Sequence, residues 1–272
     1  MRIVKIGVML YSFSRAISKG ALSPAEAIAF CAEAGAQGLE PSDQLILSVG
    51  IEELRRLLGA AKLPVPCYDV SVNLIQSDAA ARREAADALV AAVQRARSLG
   101  APVVLVVPGS VAEGMQFEQA CAWAAEGLRA ALPAAAELGI TLTVEQMGSA
   151  RALCQRGAHM RALVQAVDSA HFALTYDAGN FLLTGEDCVR PLAELLPWVR
   201  HVHFKDWKRE ADARWSGAAL GEGVVPLEAI YRTLKAGAYQ GYISVEYEGP
   251  DDPCAAVRTG IEYLRRLERR SG

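Results

Sequence analysis

The sequence predicts an α/β fold, a single (β/α)8 barrel occupying residues 1–272 as one domain, and three observations carry that expectation. Segments of strand character alternate with segments of helical periodicity from one end of the chain to the other. The strands are nearly continuous apolar runs, as strands covered on both faces of a parallel sheet must be. The length of 272 residues is close to the roughly 250 typical of such barrels. The competing fold, an open doubly wound sheet, usually carries GxGxxG after its first strand, whereas the loop here reads SFSRAISKG.

The first strand is read over Val4 to Phe13, followed by a helix that Ser23 can cap with Pro24 in its first turn. Gly38 to Glu40 forms a short second strand, and apolar positions three and four apart from Ile51 mark the next helix. The third strand begins at Val65. An Ala-rich helix covers Asp78 to Leu99 and stops at Gly100, and the fourth strand starts at Pro102. A helix from Phe117 to Leu138 precedes the fifth strand, ITLTVEQM from Ile140. A helix from Gly157 to Val167 leads to the sixth, FALTYDAGN, and one from Cys188 to Leu196 leads to the seventh, RHVHFKDW from Arg200. After a Gly-rich loop and a helix from Pro226 to Ala236 comes the eighth strand, YISVEYEG from Tyr242, and the last helix fills Asp252 to Arg269.

Composition narrows the function classes. With 52% hydrophobic residues the chain can bury a large core, and 28 Lys and Arg against 31 Asp and Glu leave no basic excess for a nucleic-acid backbone. No apolar stretch nears the ~18 residues a membrane span needs, and the apolar N-terminal run alternates like a strand without a clean cleavage site, so a cytoplasmic protein is expected. Six scattered cysteines without a CxxC pair read as reduced structural thiols.

Active sites in such barrels form at the C-terminal strand ends. Four successive strands end in groups able to bind a metal or move a proton: Glu145, Asp177, His203 and Glu246. Strand parity supports one cluster, because Thr141, Thr143, Ala173, Thr175, His201 and Ser244 share the direction of these four. Leu142, Val144, Leu174, Tyr176, Val202, Phe204, Ile243 and Val245 occupy the opposite face and belong to the helix layer. Three carboxylates and one imidazole suit one divalent metal ion, Mn2+, Mg2+, Co2+ or Zn2+.

On TVEQ at 143–146, TYDAGNF at 175–181, HVHFKDW at 201–207, LGEG at 220–223 and SVEYEG at 244–249, the chain resembles the xylose isomerase-like TIM barrels. That superfamily of sugar phosphate isomerases and epimerases also includes inosose dehydratases and endonuclease IV-type enzymes. The resemblance covers essentially the whole chain and implies a metal-dependent isomerase or epimerase acting on a small carbohydrate or polyol-derived substrate. By position it gives Glu145 and Glu246 both metal binding and proton exchange with substrate, through a metal-stabilised enediolate. Dehydration of the inosose type is the alternative, and a non-catalytic sugar-binding barrel a further one. A DNA phosphodiesterase would need a His-rich cluster that four histidines do not supply. Family epimerases commonly carry His three residues after the strand-six Asp, where this chain has Asn180, an amide that hydrogen-bonds without titrating near neutral pH.

Further substrate-binding candidates are Lys205 and Asp206, which follow His203, and Tyr11, Asn73 and Trp207, with Tyr68, as walls of a polar and aromatic pocket. Glu40 is a weaker candidate, and His201 is expected as a satisfied core histidine one layer below His203. Lys208, Arg209 and Arg214 offer either a phosphate site or a solvated surface. Barrels of this kind often form homo-oligomers, although no face here is diagnostic.

Overall fold

The computed structural model describes residues 5–271. Its parallel strands are β1 (Lys5–Met9), β2 (Gly38–Glu40), β3 (Tyr68–Ser71), β4 (Val103–Val107), β5 (Thr141–Glu145), β6 (Phe172–Asp177) and β7 (Val199–Phe204). A hairpin of β8 (Asp206–Arg209) and β9 (Trp215–Ala218) precedes the last stave, β10 (Tyr242–Val245). The eight parallel strands run in the order β2, β1, β10, β7, β6, β5, β4, β3. The remaining gap is bridged where Asp69 N–H donates to Pro41 O at 3.0 Å and Leu39 N–H to Pro64 O at 3.0 Å. The fold is the expected (β/α)8 barrel, nearly closed.

Helix boundaries follow local chemistry. Ser23 Oγ accepts the Glu26 N–H at 3.2 Å while the Glu26 carboxylate accepts the Ser23 N–H at 2.8 Å, a reciprocal capping box opening the helix Pro24–Ala34. Asp78 caps Ala79–Leu99, and Gly100 ends that helix at φ 72°, a conformation open to glycine at little cost. All six cysteines are free thiols, five of them buried. Among the described residues no helix is long and apolar enough to cross a membrane.

Side chains sort across each strand as parity predicts. Leu142, Val144, Leu174, Tyr176, Val202, Phe204, Ile243 and Val245 all join one continuous core between barrel and helices. The inward face is polar on one side, where Thr143 and Thr175 hydroxyls hydrogen-bond at 2.8 Å and Ser244 Oγ lies 3.2 Å from His201 Nε2. Gly7, inward on β1, makes room for this layer, since a Cβ there would come within 2.5 Å of Ser244 Oγ.

Three expectations need correction. The first strand is shorter than Val4 to Phe13: it ends at Met9, and Leu10–Phe13 coils into a 3-10 turn that lets Ser12 Oγ accept the Tyr247 N–H at 3.0 Å; Val4 lies outside the described residues. The segment between β2 and Ile51 holds a helix, Asp43–Val49. The seventh strand does not run on to Trp207, because Asp206 leaves the barrel and starts the hairpin. The Asp206 carboxylate accepts four backbone N–H groups, from Trp207, Gly221, Gly223 and Val225, at 2.9–3.0 Å. It therefore pins the LGEG loop rather than meeting substrate. Asp206→Ala is expected to lower unfolding free energy by about 3 kcal/mol, read by urea denaturation, because it strands these donors.

Candidate metal and substrate site

Glu145, Asp177, His203 and Glu246 stand at the ends of β5, β6 and β7 and just past β10, and each offers one ligand atom within 4.8 Å of the others. All four are buried. His203 Nδ1 lies 2.6 Å from Glu145 Oε1 and 3.4 Å from Glu246 Oε2. The turn after β6 spends one Asp177 oxygen, Oδ1, on the N–H groups of Gly179 and Asn180 at 2.6 and 2.7 Å. Its other oxygen, Oδ2, and Glu246 Oε2 are buried without a hydrogen-bond partner. Buried carboxylate oxygens left unpaired are costly, and two of them beside an imidazole and a third carboxylate fit a divalent cation.

His203 is held from behind by a residue given little weight from sequence. Glu40, fully buried at the end of β2, lies with Oε1 2.9 Å from His203 Nε2 and with Oε2 2.7 Å from His201 Nε2. A carboxylate receiving Nε2–H leaves Nδ1 directed at the cluster, the arrangement that orients metal-binding histidines. Although burial pushes the Glu40 carboxyl up, the two histidines hold it well below the usual carboxylate range. His203 is raised well above its ordinary value by Glu40 and Glu145, against the opposing effect of burial. Burial raises Glu145 and, more strongly, Glu246.

Lys205, inward like His201 and His203, sends Nζ to Glu248 at 2.6 Å, Glu246 Oε1 at 2.9 Å and Asp177 Oδ2 at 3.2 Å, the last not aligned for a hydrogen bond. Asn180 Nδ2 donates to Gln146 O at 3.0 Å, and its Oδ1 lies 3.4 Å from Lys205 Nζ. Above the cluster opens a cavity of about 390 Å³. Tyr11, Asn180, Lys205 and Trp207 line it with Glu145 and Glu246, and Leu105, Val107 and Met147 give it an apolar wall. Asn73 does not line it, and Tyr68 turns outward to Asp43 and Arg95. The cavity wall also includes Asp69 and Glu248, which sequence reading missed. Parity was the available signal: Asp69 alternates with Cys67 and Ser71, and Glu248 follows Ser244 and Glu246 at the same spacing.

The sequence model of the xylose isomerase-like TIM barrel matches residues 28–267. The chain belongs to this family. Among curated relatives, inosose dehydratase of Bacillus thuringiensis is 31% identical over 123 residues, 40% of this chain and 40% of that protein. The chain thus spans less than half the length of that relative. Among solved structures of xylose isomerase-like proportions, D-allulose 3-epimerase from Methylomonas sp. superposes with TM-score 0.80 at 16% identity, covering 98% of this chain and 99% of that one. The IolI protein with a bound zinc atom superposes with TM-score 0.81 at 14% identity over 98% and 99% of the two chains. At these identities the structures show the shared fold.

Proposed function

We propose that this family member is a divalent-metal-dependent enzyme that removes and returns the proton next to the carbonyl of a small, uncharged keto sugar or keto polyol, an isomerase or epimerase in class. The observation that carries the reading is the pairing of Glu145 and Glu246 on opposite flanks of one buried cluster whose unpaired oxygens suit a cation. A bound divalent ion supplies Lewis-acid polarisation of the carbonyl. Glu145, Asp177, His203 and Glu246 would hold it. Burial lifts both glutamates out of the ordinary carboxylate range, which brings their proton affinity toward that of a working base. Lys205 keeps Glu246 in position and presents an ammonium to a substrate oxygen, Asn180 offers an amide to a hydroxyl, and the apolar wall suits the C–H face of a sugar.

Charge supports an unphosphorylated substrate. The cavity gathers Asp43, Asp69, Glu145, Glu246 and Glu248 around a single cation, Lys205. The cations after β7 are committed within their own hairpin: Arg214 pairs with Asp212 at 2.6 Å, Lys208 approaches Glu210 at 3.9 Å, and Arg209 stacks on Trp215. Dehydration is the second reading, favoured by the inosose dehydratases among the relatives and by Asn180 in place of the epimerase histidine.

The test is incubation of the Mn2+-loaded protein in D2O with an inosose and with D-allulose. Deuterium is expected at the carbon beside the ketone of at least one of them, and no exchange into either would sink the reading.

A further inference from the structure

Asp69 stands on the cavity wall outside the ligand set and outside the proton exchange assigned to the two glutamates. It is 6% exposed, and its Oδ2 is buried with no hydrogen-bond partner. Its Oδ1 has only the Cys67 thiol nearby, at 3.9 Å, a weak contact. Asp69 reaches the cavity from the third stave, whereas Glu145 comes from the fifth and Glu246 from the eighth, so a ring-sized ligand there meets carboxyl groups on separate sides. The titratable groups that act on Asp69 are Glu40 from β2, Glu145 from β5 and His203 from β7. Burial first, then the Glu40 charge, pushes the Asp69 carboxyl well above the usual range, with His203 opposing.

We propose that Asp69 is the acid that protonates a departing β-hydroxyl, so that this site eliminates water from a β-hydroxy ketone. The inference rests on the reading that Glu145 or Glu246 removes the α-proton. The step balances without an added reagent. The glutamate takes the α-proton, the C–H electron pair becomes the new carbon–carbon double bond, and the C–O bond breaks with its pair going to oxygen. That oxygen takes the Asp69 proton and leaves as water, so Asp69 ends as a carboxylate, the glutamate as a carboxylic acid, and the substrate has lost one water.

The experiment follows two signals from the Mn2+-loaded full chain with an inosose in D2O: deuterium entry beside the ketone, which reports the glutamates, and enone absorbance, which reports elimination. Wild type is expected to show both. Asp69→Asn, of equal size and uncharged, is expected to keep exchange within about threefold and to lose elimination by about 100-fold or more, the scale of a general acid. An analogue with fluorine in place of the β-hydroxyl needs no proton to leave, so it is expected to restore elimination in Asp69→Asn. Metal content and urea unfolding of the variant show that it folds. Elimination of water by Asp69→Asn at the wild-type rate would overturn the proposal. So would wild-type exchange with no elimination, or a folded, metal-loaded variant that fails to expel fluoride. Absence of exchange in wild type would instead bring down the α-proton reading, and this inference with it.

Discussion

Glu145→Gln and Glu246→Gln are each expected to slow deuterium exchange beside the substrate ketone by about 10²–10⁴-fold, measured at saturating Mn2+ so that weakened metal binding is not mistaken for lost proton transfer. Gln keeps the side-chain volume and one carbonyl oxygen but cannot accept a proton. The two positions differ in their surroundings. Glu145 faces His203 Nδ1 at 2.6 Å, whereas Glu246 is shared between His203 and Lys205, at 3.4 and 2.9 Å. Both substitutions should therefore abolish exchange, with Glu246→Gln also freeing the Lys205 ammonium. A variant exchanging within tenfold of wild type would remove that glutamate from the chemistry.

The second large effect is structural. Glu40→Ala is expected to cost about 3–5 kcal/mol of unfolding free energy, because it leaves two buried histidines without their carboxylate. It should also weaken metal binding about 10–100-fold, the usual consequence of removing the group that orients a liganding histidine. The pH dependence has a definite sign. The folded-state pKa of Glu40 is depressed, so its contribution is present above the unfolded value of about 4.5 and is lost as pH falls through the folded value. The stability gap between wild type and Glu40→Gln should thus be full at neutral pH and narrow in acid. His203 works in the other direction: its raised pKa gives stability that is full below about 6.5 and is lost only as pH rises through a much higher folded value. Urea unfolding of both proteins between acid and neutral pH checks this, and a gap independent of pH would contradict it.

The eight staves and the inward direction of Glu145, Asp177, His203 and Glu246 were legible because period-two alternation in a parallel barrel is strict once one face must pack against helices. His201 behaves as the satisfied core histidine the pattern implies, held by Glu40 and Ser244. The hairpin escaped because HVHFKDW stays apolar and β-prone past Phe204, and only the four N–H groups converging on Asp206 from Trp207, Gly221, Gly223 and Val225 explain the break. Glu40 and Asp69 escaped for another reason. Each ends a short strand of three or four residues, too brief for alternation to show, and their partners lie on distant staves. Asn73 and Tyr68 were placed in the pocket by residue type alone, and the fold turned both away.

The central claim is that the mouth cluster holds one divalent cation, and metal analysis tests it most directly. After equilibration with Mn2+ and removal of unbound ion, wild type should retain about one ion per chain, and saturation at about 100 times the dissociation constant should add about 2.7 kcal/mol to its unfolding free energy. The Asp177→Asn, Glu246→Gln double variant, which neutralises the two unpartnered oxygens, should retain almost none and gain no stability from Mn2+. A folded wild type that keeps no metal, or a double variant that keeps as much as wild type, would contradict the account.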